Sequence, residues 1–279
     1  MRTESEALLT YADPRDPRLT QAVIRSVEVL SGQPRLAKQY ERVKARTTNR
    51  PGTPDPGAFF AEALNELDIE VAYEFLGAPP PAEGPVVFVA NHPFGVVDGL
   101  ALCRLALEQR GSVKIMIHRA LFKDPALQPF MLPVDFEGSR EAAKRNIAVR
   151  DEAIAFLRGG GTVAVFPGGG ISTASQPFGP ATDLEWKLLP AKLIQVTRAT
   201  VVPVFFPGQN SALFQIASQI SQTLRLSLVI REVRNKRGRP LAVRVGAPIP
   251  FDALPEAKKD RKELTEHLRR VVYDLDPNR

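Results

Sequence analysis

The chain has 279 residues, a formal net charge of +6, 44% hydrophobic residues and 24% charged residues, which excludes a disordered or fibrous chain and leaves ample material for a core. No apolar run approaches the ~20 residues that span a bilayer, and the N-terminus (Met1-Arg2-Thr3-Glu4-Ser5-Glu6) lacks the apolar core of a secretion signal, so cytoplasmic residence is the default expectation. A lone cysteine, Cys103, allows no internal disulfide, and with only three histidines beside it no metal site is expected.

Residues 1–57 read as a helical, proline-punctuated preface. Leu19 to Leu30 places apolar residues at helical spacing, and Leu36 to Val43 begins a second, basic helix. Two docking places stay open for this pair: a membrane surface, apolar side down, or the body of the protein. Arg50-Pro51-Gly52-Thr53-Pro54-Asp55-Pro56-Gly57 is a breaker-rich connector, which divides the chain into an N-terminal segment 1–57 and a main domain 58–279. Phe59 to Leu67 predicts a third helix. Charge is concentrated in two places, Arg35 to Arg50 and Arg225 to Arg239, each with six cations against one glutamate. Such patches attract an anionic membrane surface or an acidic carrier protein, although a merely solvated face has the same composition.

From Val71 onward apolar runs alternate with helical patterns. Strands are expected at Val86–Ala90, Val113–His118, Val134–Phe136, Thr162–Phe166, Thr200–Phe206, Leu224–Arg231 and Leu241–Val245, and helices near 99–110, 139–158, 184–198 and 256–274. The fold class is α/β: a mostly parallel sheet flanked by helices, preceded by the N-terminal helical extension. Ligands of such sheets gather at the carboxyl ends of strands. His92 stands at one such end, held extended by Pro93, and Gly168-Gly169-Gly170 stands at another.

His92 and Asp98 are the first candidates for chemistry. A neutral imidazole takes a proton from a hydroxyl, and a carboxylate on its other nitrogen fixes the tautomer and stabilises the imidazolium. By themselves these residues read first as a helix-capping aspartate beside a satisfied buried ring.

The surrounding blocks carry more. Asn91-His92-Pro93-Phe94-Gly95-Val96-Val97-Asp98-Gly99, Leu132-Pro133-Val134-Asp135-Phe136 with Arg140, Val165-Phe166-Pro167-Gly168-Gly169-Gly170-Ile171-Ser172-Thr173 and Val202-Pro203-Val204 occur in that order. Together they resemble the four motifs of the glycerolipid acyltransferases, the lysophosphatidate and lysophospholipid acyltransferases, over roughly Glu83 to Pro250. The long N-H-P-x-G-x-x-D-G form, with five residues between His92 and Asp98, looks like the branch of lyso-ornithine lipid acyltransferases and hemolysin-like proteins.

The resemblance implies an O-acyltransferase that moves a fatty acyl group from the thioester of an acyl carrier protein or coenzyme A to a lysolipid hydroxyl. His92 and Asp98 would be catalytic, and Asn91, Arg140, Phe166, Pro167, Gly168, Gly169, Gly170 and Ser172 would line the substrate. The thioester is a co-substrate, and no further cofactor is implied. The third block departs from F-P-E-G-T-R-S: Gly168 replaces the glutamate and Ile171 the arginine that hold a phosphate-bearing acceptor. That favours a lyso-aminolipid acceptor over lysophosphatidate, while backbone amides of the glycine turn still offer anion or oxyanion contacts. His118, Arg119, Gln209 and Asn210 also lie at strand ends, where structural roles suffice for them.

Other chemistries lack their residues. There is no G-x-S-x-G, no nucleotide-binding glycine loop, and no aromatic cluster beside the basic patches to suggest nucleic acid. A non-catalytic lipid-binding protein and a hydrolase passing the acyl group to water remain the alternatives from other classes.

Overall fold

The computed structural model describes residues 5, 9–10, 17–50, 53–135, 137–176, 178–220, 222–254 and 260–279. Phe136 of the second block, Pro51-Gly52 of the connector and residues 256–259 of the last expected helix lie outside them. The N-terminal helices are α1 (Arg18–Ser31), α2 (Gln33–Thr47) and α3 (Pro56–Glu66). The main domain continues with β1 (Val71–Phe75), β2 (Val86–Ala90), α4 (Val96–Arg110), β3 (Lys114–His118), β4 (Met131–Val134), α5 (Arg140–Arg158) and β5 (Thr162–Val165). It closes with α6 (Leu189–Thr197), β6 (Thr200–Phe205), α7 (Ala212–Ile220), α8 (Gln222–Ser227), α9 (Val229–Lys236), β7 (Leu241–Val245) and α10 (Arg261–Tyr273).

The seven strands form one sheet in the order β1-β7-β6-β2-β5-β3-β4. Only the β6–β7 junction is antiparallel; the other described pairings are parallel. β2 lies inside the sheet, and all five of its residues, Val-Val-Phe-Val-Ala, are buried. Their period-two alternation supplies both layers of the core. Phe88 and Ala90 pack with Leu102, Val202 and α3 residues Phe59 and Phe60 on one face. Val87 and Val89 pack with Val163, Leu193 and Leu264 on the other.

The first two N-terminal helices behave differently. α2 belongs to the core: Val43 is buried, and the Tyr40 ring meets Phe59 edge-on at 6.0 Å. α1 instead buries Ile24 and Glu28 and turns Leu19, Val23, Val29 and Leu30 outward, the first and last 78% and 82% exposed.

Leu224–Arg231 is helical rather than extended, spanning the end of α8 and the start of α9. Alternation of Leu224, Leu226, Leu228 and Ile230 suggests a strand, but Leu226, Val229, Ile230 and Val233 recur at helical spacing and wall one cavity. The second block's strand ends at Val134 instead of beginning there. Edge strand β1 joins the sheet beside β7, a position that its half-exposed residues do not advertise.

Candidate active site

Register brings the motif blocks together. Pro203 pairs with Val89, which on its other side pairs with Val165, so β6, β2 and β5 end along one edge. The residues just beyond, Phe206, Asn91-His92 and Phe166, therefore converge. Asn91 is 4% exposed and ties two of these ends: its Oδ1 accepts the Phe206 N–H at 2.7 Å, and its Nδ2 donates to the Phe206 carbonyl at 3.0 Å. That amide extends the sheet by one rung and is not left for a substrate.

His92 is fixed on every side. Its N–H donates to Asp183 Oδ1 at 3.0 Å, its carbonyl accepts the Ser172 N–H at 2.8 Å, and its ring stacks on Phe166 with centroids 3.9 Å apart and planes 22° apart. Nδ1 lies 3.3 Å from Asp98 Oδ1. The approach is within ion-pair range yet off the hydrogen-bond line, so Nδ1 is buried without a hydrogen-bond partner. Such contacts commonly tighten only when substrate is bound. The fully buried Asp98 carboxylate is oriented by the N–H groups of Phe94, at 2.8 Å, and Gly99, at 3.2 Å. Nδ1 faces this carboxylate, which leaves Nε2 as the nitrogen available to a substrate proton.

The long spacing between His92 and Asp98 is absorbed at Gly95, which precedes α4 with φ +80°. A β-carbon there would lie 2.7 Å from Ile171 Cδ1, so the backbone conformation disfavours a side chain and the Ile171 tip would have to shift to admit one. Burial lowers the pKa of the Lys236 ammonium, which stands 3.5 Å from the Phe94 ring centroid; Glu232 and Asp98 oppose that shift.

A cavity of about 510 Å³ opens from this edge into the body of the domain. His92, Phe166, Pro167, Gly169 and Gly170 line it at the sheet edge, and Leu100, Ile115, Met131, Tyr40, Phe60 and Val233 are among its apolar walls. Cys103 also lines it, where burial raises the thiol far above its ordinary range and leaves it unreactive. Such a volume and lining suit a long aliphatic ligand.

Other expected site residues have structural partners. Ser172 is buried, and its hydroxyl donates to Asp183 Oδ1 at 2.5 Å. Gly168 backs onto the same aspartate: a β-carbon on it would meet Asp183 Cβ at 3.2 Å. Arg140 is exposed in the first turn of α5, away from the cavity, and the second-block Asp135 pairs with Arg145 at 2.6 Å. Arg119 approaches the same carboxylate at 4.0 Å, and Gln209 accepts the Ala181 N–H at 2.8 Å. His118 lines the cavity with a pKa lowered by burial, against the opposing pull of Asp135 and Glu137. Part of the first basic patch is paired within the chain: the exposed Arg42 and Arg46 meet Glu66, and Lys44 meets Asp124.

Asp183 lies outside all four blocks. Besides His92 and Ser172 it accepts the Trp186 indole N–H on Oδ2 at 2.9 Å, and its own N–H donates to Tyr273 Oη at 2.9 Å. The only trace of it in the sequence is the missing side chain at Gly168.

The carboxyl edge of a mostly parallel α/β sheet thus joins an imidazole and a carboxylate at an apolar cavity sized for a lipid-like group. The family model described as Acyltransferase matches residues 56–278, and the chain belongs to that family and is an acyltransferase. It is 29% identical over 227 residues to a lyso-glycine lipid O-acyltransferase of Phocaeicola vulgatus, covering 78% of each chain. The corresponding enzyme of Bacteroides thetaiotaomicron is 29% identical over 236 residues, covering 78% of this chain and 84% of the relative. Among solved structures, the 1-acyl-sn-glycerophosphate (LPA) acyltransferase PlsC of Thermotoga maritima aligns over 91% of this chain and 95% of its own, with 17% identity and a TM-score of 0.49. No helix among the described residues is long and apolar enough to cross a membrane.

Proposed function

We propose that this chain is a lysolipid O-acyltransferase acting on an acceptor with an amino-acid headgroup. The observation that carries the reading is His92 Nδ1 facing the buried Asp98 carboxylate at 3.3 Å, with the ring at the mouth of an apolar cavity. The relatives named for lyso-glycine lipid support an amino-acid headgroup, as do Gly168 and Ile171, which give a phosphate no charged side chain. Glycine has no hydroxyl, so an O-acyl acceptor built on it carries the free hydroxyl on its fatty chain.

In the proposed reaction His92 Nε2 removes the hydroxyl proton while Asp98 stabilises the imidazolium. The acceptor oxygen attacks the thioester carbonyl of an acyl carrier protein or coenzyme A. Collapse of the tetrahedral intermediate forms the ester and expels the thiolate, which takes the proton back from the imidazolium. No acyl-enzyme forms, so Cys103 is not used. The Gly169 N–H is already committed to the Phe166 carbonyl at 3.0 Å, which leaves Gly170 as the candidate backbone donor to the oxyanion. Phe166 holds the plane of the imidazole. The outward apolar face of α1 rests on the membrane from which the acceptor is drawn, and the exposed Arg35 and Lys38 meet anionic headgroups.

The test is transfer of a labelled acyl group from each thioester to a panel of lysolipids by the full chain, with His92→Ala as the control. Ester formation that His92→Ala abolishes is the expected result. Undiminished transfer by the variant overturns the mechanism, free fatty acid as the sole product selects hydrolysis, and vesicle binding without turnover selects a lipid-binding role.

A further inference from the structure

We propose that Arg225 binds the carboxylate headgroup of the acceptor, an assignment that rests on the acyl-transfer reading above. Arg225 projects from α8 into the cavity that His92 and Gly170 also line. Its Nε is buried without a hydrogen-bond partner. Burial lowers the pKa of the guanidinium, with no adjoining carboxylate to offset the effect. Its neighbours along the wall are Leu226, Val229 and Ile230. A guanidinium half withdrawn from water, with one N–H buried and unpaired, favours an anion that enters the cavity beside it.

Among the described residues, the two carboxylates that line the cavity already pair with cations, Glu66 with Arg42 and Arg46 and Asp124 with Lys44, and those on the surrounding elements have partners of their own. Glu232 accepts the N–H and hydroxyl of Ser211 at 2.9 and 2.6 Å, Glu28 accepts the Thr10 hydroxyl at 2.7 Å, and Asp98 takes the Phe94 and Gly99 amides. Among the described residues no carboxylate meets Arg225, and the anion proposed for it is a ligand's. Position ties that ligand to the reaction: Val229, one turn beyond Arg225, packs with Ile171 and comes within 3.9 Å of the Cβ position of Gly95, in the His92–Asp98 loop.

The number of charges selects the headgroup. Among the described residues two other cations line the cavity, but Lys123 donates to the Thr10 carbonyl and Lys187 is exposed beside Pro167. One planar guanidinium matches one carboxylate through two parallel hydrogen bonds, whereas a phosphate dianion calls for further charge. An N-acylated amino acid whose amine is taken up in the amide presents one carboxylate, a fixed number of bonds from the chain hydroxyl that accepts the acyl group. Arg225 on the headgroup and His92 on the hydroxyl would thus hold the acceptor at two points.

The experiment compares kcat/KM for an N-(hydroxyacyl)glycine and for its neutral carboxamide, with lysophosphatidate as a third acceptor, in wild type, Arg225→Gln and Arg225→Lys. The wild type is expected to favour the carboxylate over the carboxamide by about tenfold to a hundredfold. Arg225→Gln brings that ratio near one, mainly through KM, and Arg225→Lys keeps an intermediate ratio. Because the ratio is internal to each protein, a general loss of folded enzyme does not imitate the effect. A wild type indifferent to the carboxylate, or an Arg225→Gln variant with undiminished preference, overturns the assignment while leaving acyl transfer intact. Preference for lysophosphatidate over the N-acylglycine overturns the choice of carboxylate. Absence of transfer to any of the three by the wild type overturns the acyl-transfer reading, and the headgroup assignment falls with it.

Discussion

Asp183 Oδ1 accepts the backbone N–H of His92 at 3.0 Å, so a carboxylate from outside the four motif blocks holds the proposed base by its main chain. The same carboxylate takes the Ser172 hydroxyl and the Trp186 indole N–H, all within the protein interior. Substitution Asp183→Asn turns an amide N–H toward the indole N–H and leaves a buried donor unpaired. The expected cost is about 1–3 kcal/mol, read as a lowered thermal midpoint. Adding Trp186→Phe removes the opposing donor and should restore part of that loss, although the smaller ring leaves some space. An equal fall for single and double variants would show that the indole contact is not the source of the cost.

The catalytic pair separates by substitution. His92→Ala is expected to lower kcat by about a hundredfold or more, since it removes the proton acceptor, at a smaller cost in unfolding than Asp98→Asn because the buried Nδ1 makes no hydrogen bond to the fold. Asp98→Asn should lower both kcat and stability, as its carboxylate also orders the Phe94 and Gly99 amides. Parallel kinetics and calorimetry check the distinction. A His92→Ala variant as destabilised as Asp98→Asn would argue that the ring serves the fold.

Gly95 and Ile171 couple the first and third blocks. Gly95→Ala imposes a side chain at φ +80° and sets its β-carbon 2.7 Å from Ile171 Cδ1, at an expected cost of about 2–4 kcal/mol. Ile171→Val deletes that Cδ1. The double variant should recover the steric part and keep the backbone strain, giving a coupling of about 0.5–3 kcal/mol in chemical denaturation. Strict additivity would count against the contact.

Asp135 supplies a pH dependence. The Glu137 N–H, followed by the Arg145 guanidinium, holds its carboxyl below the usual carboxylate range, with Arg119 adding to the effect. A folded-state pKa below the unfolded one stabilises the protein at pH above the unfolded value, and that stabilisation fades as pH falls through the folded value. Asp135→Asn should therefore be less stable than wild type at pH 7, by about 1 kcal/mol after allowance for the partly exposed arginine. The difference should close in acid, where the wild-type carboxyl is protonated. Thermal midpoints across pH 2–8 test the sign.

Much of this arrangement is legible in the sequence itself. Val86–Ala90 is a continuous apolar run ending at His-Pro, and it is a buried strand with the imidazole at its end. The third block also falls beside that strand, because the apolar run before Phe166 pairs with it. Asp183 was not legible, since it lies between two ordinary residues and acts across the chain on a main-chain N–H that carries no side-chain signature. Arg225 was visible only as one member of a basic cluster; its isolation in an apolar cavity depends on α8 being helical, which the alternating leucines concealed. Asn91 and Ser172 belong to the motif that the sequence displays. Their hydroxyl and amide groups are nevertheless taken up by Asp183 and Phe206, contacts that spacing alone does not reveal.

The inverted burial of α1 gives the last prediction. An amphipathic helix docked on a globular core ordinarily hides its apolar stripe, yet here Glu28 is buried, accepting from Thr10, while Leu19 and Leu30 are 78% and 82% exposed. Leu19, Val23 and Leu30 lie on the same outward side, next to Ala22 and Val29. Exposed side chains contribute little to folding, so Leu19→Glu with Leu30→Glu should leave the unfolding free energy within about 0.5 kcal/mol per site. Removing two aliphatic anchors and adding two negative charges should instead weaken binding to anionic vesicles about tenfold or more, by loss of buried area and by repulsion. Co-sedimentation with vesicles measures the loss, and turnover of a detergent-dispersed acceptor should be spared. Vesicle binding equal to wild type would show that this face does not meet the membrane.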